Sequence, residues 1–133
     1  MLKLAVQAAK DEASRLKLKR PLLIGVTVLT SKDAGLNEVL TLARRGLQSG
    51  LDGVVCSARE AAYLRKKIQK KFLIITPGIR PQGKSGDDQR RTATPQEAIR
   101  AGSDFLVIGR PILEAGNPLL AARQILRGSL WKR

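Results

Sequence analysis

Four short runs of Val, Ile and Leu, each followed by a stretch with helical periodicity, constrain this chain more than any other feature. They are LLIGVTVL (22–29), GVVCS (53–57), FLIITPGI (72–79) and DFLVIG (104–109). Continuous apolar runs of this length, unlike alternating ones, belong to strands buried on both faces. Strands separated by helices pair in parallel, because a crossover helix returns the chain to the same edge. Leu2, Val6, Ala9, Ala13 and Leu16 recur at spacings of four and three, which predicts an amphipathic helix over 2–18 ahead of the first strand. Leu36, Val39, Leu40, Ala43 and Leu47 predict a second helix that stops near Gly50. Ser57 and Glu60 have the S-x-x-E spacing of a capping box and start a third, which turns Ala61, Leu64 and Ile68 inward and leaves Arg65 on the solvent side. Thr94-Pro95-Gln96-Glu97 opens a fourth helix in the same way and Gly102 closes it. Asn117-Pro118 opens the last, which runs to about Gly128.

The expected fold is therefore α/β, of (β/α) barrel type: a half barrel of four parallel strands with a preceding N-terminal helix, in one domain over residues 1–133. A faint internal repeat supports it. GLDGVV (50–55) and GSDFLV (102–107) each place a glycine at a helix end and an aspartate at the entry to a strand. The spacing, about 50 residues, covers two strand–helix units.

Composition narrows the chemistry. With no histidine, Ser-His-Asp and Cys-His catalysis are excluded, and so is the commonest transition-metal ligand. One cysteine allows no internal disulfide and fits a cytoplasmic protein. No apolar run has membrane-spanning length, and the first twenty residues are too charged for a secretory signal. The 25 Lys and Arg against 11 Asp and Glu give a net charge of +14, which suits an anionic partner or merely solvated helix faces. Nucleic acid is the weaker reading, because no stacking aromatics are interleaved with the basic runs.

In parallel α/β sheets ligands bind beyond the carboxyl ends of the strands. At those ends the sequence places Thr30-Ser31, Ser57, TPGIR (76–80) and Gly109-Arg110. Arg80 and Arg110 fall on neighbouring strands if the order is sequential. Two guanidiniums, glycine N–H groups and a nearby helix start suit a phosphate, and Gln89 on the long loop 80–91 could add a neutral donor. Alternatively, the arginines pair with loop carboxylates such as Asp87 or Asp88.

The motifs TPGIRP, GDDQRR and VIGRPI, with LLIGVTVLTS, GLDGVVCSAREA and NPLLAARQI, closely resemble the second half of the orotidine 5′-monophosphate decarboxylase family, over about residues 1–130. The resemblance implies a TIM barrel, usually homodimeric, that converts orotidine monophosphate to uridine monophosphate and CO₂ in pyrimidine biosynthesis. It implies no cofactor and no metal. By position, Arg80, Gln89, Gly109 and Arg110 match the family's phosphate-binding residues, and Thr30 matches a residue that contacts the bound nucleotide. The family's catalytic Asp-x-Lys-x-x-Asp is found nowhere in these 133 residues. The chain is thus expected to lack the first four strands, to supply the phosphate-binding half, and to be inactive alone. Its uncovered inner face and two open edges call for a partner, either itself as a homo-oligomer or a missing N-terminal half. Two other functions fit the same residues: a basic nucleic-acid-binding module, and a catalytically inert oligomerising half barrel.

Overall fold

A computed structural model describes residues 1–29, 34–81 and 92–128. The order is α1 (Leu2–Arg15), β1 (Ile24–Val26), α2 (Leu36–Gln48), β2 (Gly53–Val55), α3 (Ala58–Lys67), β3 (Leu73–Thr76), α4 (Pro95–Arg100), β4 (Phe105–Leu106), α5 (Arg110–Leu113) and α6 (Pro118–Gly128). The four strands form one sheet in sequence order, every pair parallel. This is the expected half barrel.

Alternation along the strands decides which face is covered. Val54, Cys56 and Ile74 are buried in one cluster with Val39, Leu40, Ala43 and Leu47 of α2 and Ala61 and Leu64 of α3. The other face carries Val26, Val55, Ile75 and Phe105, which the register sets in a single row across the sheet. Among the described residues helices cover only the first face, and Val26 and Phe105 at the ends of the row are exposed. The strands therefore have the both-face composition of a barrel wall and one-face burial. They are also shorter than the apolar runs that predict them, since β1 and β4 each have a single neighbour to bond.

Both capping boxes form. Ser57 N–H donates to Glu60 Oε2 (2.8 Å) and Glu60 N–H donates to Ser57 Oγ (3.4 Å). Thr94 N–H donates to Glu97 Oε2 (2.7 Å) and Glu97 N–H to Thr94 Oγ1 (3.2 Å). The Thr94 N–H holds the Glu97 carboxyl below its ordinary pKa.

The glycine–aspartate repeat is a structural device used twice. Gly50 (φ 97°) and Gly102 (φ 93°) sit just past α2 and α4 in the left-handed region. Each closes its helix with paired backbone bonds, Gly50 N–H to Leu47 O with Leu51 N–H to Gly46 O, and Gly102 N–H to Ile99 O with Ser103 N–H to Ala98 O. Two residues on, the aspartate ties its strand to the one before. Asp52 N–H donates to Leu23 O (2.8 Å), and Leu23 N–H donates back to Asp52 Oδ2 (2.7 Å). Asp104 N–H donates to Ile74 O (2.9 Å), and Ile74 N–H donates back to Asp104 Oδ2 (2.7 Å). An arginine completes each tie. Arg20 forks onto Asp52, Nη2 to Oδ1 at 2.7 Å and Nη1 to Oδ2 at 3.0 Å. Arg65 Nη2 meets Asp104 Oδ2 at 2.5 Å.

The Arg20 guanidinium, helped by the Leu23 N–H, holds the Asp52 carboxyl below its ordinary value of 3.8. A carboxyl depressed in the folded state adds stability above its unfolded pKa and loses it as pH falls through the folded one. The melting temperature should therefore drop steeply below about pH 4. Asp52→Asn should melt lower at pH 7 and show a shallower acid slope. Thermal melts from pH 7 to pH 2 measure both, and an unchanged slope in the variant would reject Asp52 as a source of the acid loss.

Candidate functional site

The sheet register relates two of the sequence-nominated residues. Thr76 of β3 pairs with Leu106 of β4. Arg80 lies four residues beyond Thr76, and Arg110 lies four residues beyond Leu106. The chain past β3 turns at Gly78 (φ 74°), a conformation that favours glycine. It is then held by a parallel bridge between Ile79 and Ala93, with Arg80 N–H donating to Ala93 O at 2.9 Å. Arg80 is buried, and its Nη1 donates to the Ile79 carbonyl at 2.9 Å, which turns the guanidinium back over the strand end. Past β4 the ladder continues one step, with Val107 N–H donating to Thr76 O at 2.9 Å.

Gly109 takes φ −104° and ψ −93°, outside the helical and extended regions, and a Cβ built on it would meet no atom within 4 Å. Arg110 then begins α5, a single turn absent from the sequence reading, which runs the strand to residue 109 and ends it at the arginine. A turn this short presents a few N–H groups but no useful macrodipole. The expected help from a helix start therefore reduces to those N–H groups. Thr30 and Gln89, and the alternative partners Asp87 and Asp88, lie outside the described residues. Among the described residues no three His, Cys, Asp or Glu side chains group as metal ligands. No described helix is long and apolar enough to cross a membrane.

Arg65 is the residue that helical periodicity misplaces. It is half-buried: Nε donates to Gly102 O (2.9 Å), Nη1 to Phe72 O (2.8 Å) and Nη2 to Asp104. Its guanidinium also lies 4.7 Å from the centre of the Phe72 ring. The last turn of α3 reaches the α4–β4 junction, where two carbonyls and a carboxylate need donors that only a planar fork can supply at once. The other glycine–aspartate unit has Arg20 as its cation, so the two ties match in kind, although no local pattern marks either arginine in the sequence. Arg65 lines an open groove of about 670 Å³ with Leu22, Asp52, Phe72 and Asp104, at the starts of the strands. That is the opposite end of the sheet from Arg80 and Arg110, and both its carboxylates are engaged in the ties between strands. The groove is structural; the arginine pair is the candidate site.

Two arginines beyond the carboxyl ends of neighbouring strands mark the candidate site of this parallel (β/α) half barrel. A sequence profile of the "Orotidine 5'-phosphate decarboxylase / HUMPS family" matches residues 1–125, and the chain belongs to that family. It is 48% identical over 124 residues to an orotidine 5'-phosphate decarboxylase of Pseudoalteromonas atlantica, covering 85% of this chain and 54% of the relative. It is 53% identical over 117 residues to the decarboxylase of Vibrio parahaemolyticus, covering 80% and 50%. The crystal structure of orotidine 5'-phosphate decarboxylase from Lactobacillus acidophilus superposes with a TM-score of 0.78 at 33% identity, over 98% of this chain and 58% of that one. The chain thus spans about half the length of the curated relatives it matches.

Since Arg65 is tied at the strand starts, its loss should be a stability defect. Arg65→Ala should cost about 1–2 kcal/mol, reduced from the sum of its contacts because the pair is partly solvated. Chemical denaturation reads this directly, and a variant as stable as the parent would show the tie to be ornamental.

Proposed function

We propose that this chain is the phosphate-binding half of an orotidine 5′-phosphate decarboxylase. The observation that carries the reading is the placement of Arg80 and Arg110 at equal steps beyond register-paired residues, in a member of that family. The ligand is the 5′-phosphate that orotidine and uridine monophosphate share. Arg80 and Arg110 each donate charge-assisted hydrogen bonds to it, and Gly109 admits the phosphate to the backbone. Gln89 and Thr30 close the set, on phosphate and nucleotide respectively. Phosphate contacts of this kind mainly anchor a substrate and do no bond-breaking.

The step that releases CO₂ needs a proton donor for the carbanion left behind. Resemblance to the family assigns that proton to the lysine of Asp-x-Lys-x-x-Asp, which these residues do not contain. The chain alone therefore binds nucleotide without converting it. A nucleic-acid surface is disfavoured by the aromatics. Phe72 is buried under Arg65, the Tyr63 ring lies 5.8 Å from the Lys67 ammonium, and the exposed Phe105 belongs to the apolar row on the sheet's open face.

Uridine monophosphate should bind weakly, and uridine far more weakly. Charge-assisted contacts contribute ~1.5–3 kcal/mol each, so Arg110→Ala should weaken nucleotide binding by about tenfold or more. Lys66→Ala, an exposed residue in the last turn of α3, removes the same formal charge at the other end of the sheet and should change little. Calorimetric titrations at two salt concentrations separate the cases, and equal losses in both variants would replace the site with a diffuse basic field. In the same preparations, CO₂ release from orotidine monophosphate should stay at the buffer background. Turnover that survives removal of host enzyme would refute the inactive-half reading.

A further inference from the structure

We propose that two copies of this chain close head to tail into an eight-stranded barrel, with β4 of each copy paired in parallel beside β1 of the other. The inference rests on the sheet alone and not on the phosphate reading. Its first support is area. One chain exposes 9252 Å², whereas a compact monomer of 14.5 kDa should expose roughly 6,900 Å². The excess, roughly 2,400 Å², is well above the about 800 Å² per partner that a standard stable interface buries. Apolar side chains at the two open edges contribute to it. Leu22 is 59% and Val26 60% exposed at one edge, and Phe105 is 54% and Val107 53% exposed at the other.

The second support is that the sheet already contains the seam that would be made. The ties make β1–β2 and β3–β4 equivalent units: Leu23 corresponds to Ile74 and Asp52 to Asp104. The registers agree, with Ile24 opposite Gly53 in the first unit and Ile75 opposite Phe105 in the second. The junction between units is β2–β3, where Gly53 faces Leu73, Val55 faces Ile75, and Leu73 N–H donates to Asp52 O at 2.9 Å. Advancing that junction by one unit leaves one solution for β4 against the partner's β1. Phe105 faces Leu22 of the partner subunit, Val107 faces Ile24 of the partner subunit, and Asp104 O accepts the N–H of Leu22 of the partner subunit. A two-fold axis along the barrel makes two such seams, abolishes both edges and encloses the row from Val26 to Phe105. The side chains paired across the seam (Phe105, Val107, Leu22 and Ile24) are uncharged, so the +14 of each chain opposes closure mainly at long range, and added salt relieves it.

Sedimentation equilibrium of the unaltered chain, over a concentration series, should give a particle of twice 14.5 kDa. The register is tested by Ile24→Cys/Val107→Cys, which under mild oxidation should yield covalent dimers. Val26→Cys/Val107→Cys, offset by two residues, should cross-link at least several-fold less, because the Cα separation then exceeds about 7 Å. The native thiol, Cys56, is buried and out of reach. A monomer at every concentration, a particle made of one copy and a different polypeptide, or a dimer whose cross-linking is equal for the two pairs would each overturn the proposal. The mass of the unaltered chain decides the first two outcomes even if a cysteine variant misfolds.

Discussion

A carboxylate that bonds the chain at the start of the preceding strand sets the geometry of everything above it. Parallel strands begin with N–H groups that no helix supplies with acceptors, and an unpaired one inside a fold costs about 1–3 kcal/mol. Asp52 and Asp104 each satisfy such a group and also accept an arginine, so a single side chain fixes register and neutralises itself. A slip of one residue would break the tie and reverse the faces of the strand. Because register at the start of a strand is register at its end, Asp104 on Ile74 dictates Thr76 on Leu106, the pair from which Arg80 and Arg110 each lie four residues on. The candidate site is a consequence of a bond made at the other end of the sheet.

The same economy accounts for the charge. The chain has 11 acidic residues, and five of them are committed to local structure: Glu12 to Arg15, Asp52 to Arg20, Asp104 to Arg65, and Glu60 and Glu97 to their capping boxes. Acid is spent on holding helices and strand starts in place. The surplus of lysine and arginine is then left largely uncompensated, and a long-range positive field draws anions toward any place that can hold them.

The capping boxes at Ser57 and Thr94 were legible in the sequence because their chemistry is local: four residues contain both partners. The glycine–aspartate repeat was legible as a repeat but not as a tie, since the acceptors' partners, Leu23 and Ile74, lie about thirty residues upstream. Arg65 was misplaced for a related reason. Periodicity reports which side of α3 faces the sheet, and it is silent on the helix end, where a long side chain reaches sideways to a turn built by residues 102–104. The turn of α5 escaped because VIGRPI reads as a strand until β4 runs out of neighbours to pair with.

The remaining mismatch, between strand composition and strand burial, is informative in itself. A surface-facing row in an open parallel sheet would be expected to carry Thr, Lys or Glu on its exposed side. The row Val26, Val55, Ile75 and Phe105 carries none, and its two ends are the most exposed. Helix-facing positions are equally apolar, so nothing in the strands distinguishes the covered face from the open one. Such a sheet is written for an interior on both sides, with helices outside and a side-chain-filled barrel inside. The apolar pattern that identifies the fold class is therefore also evidence that the sheet's physical unit is larger than its four strands.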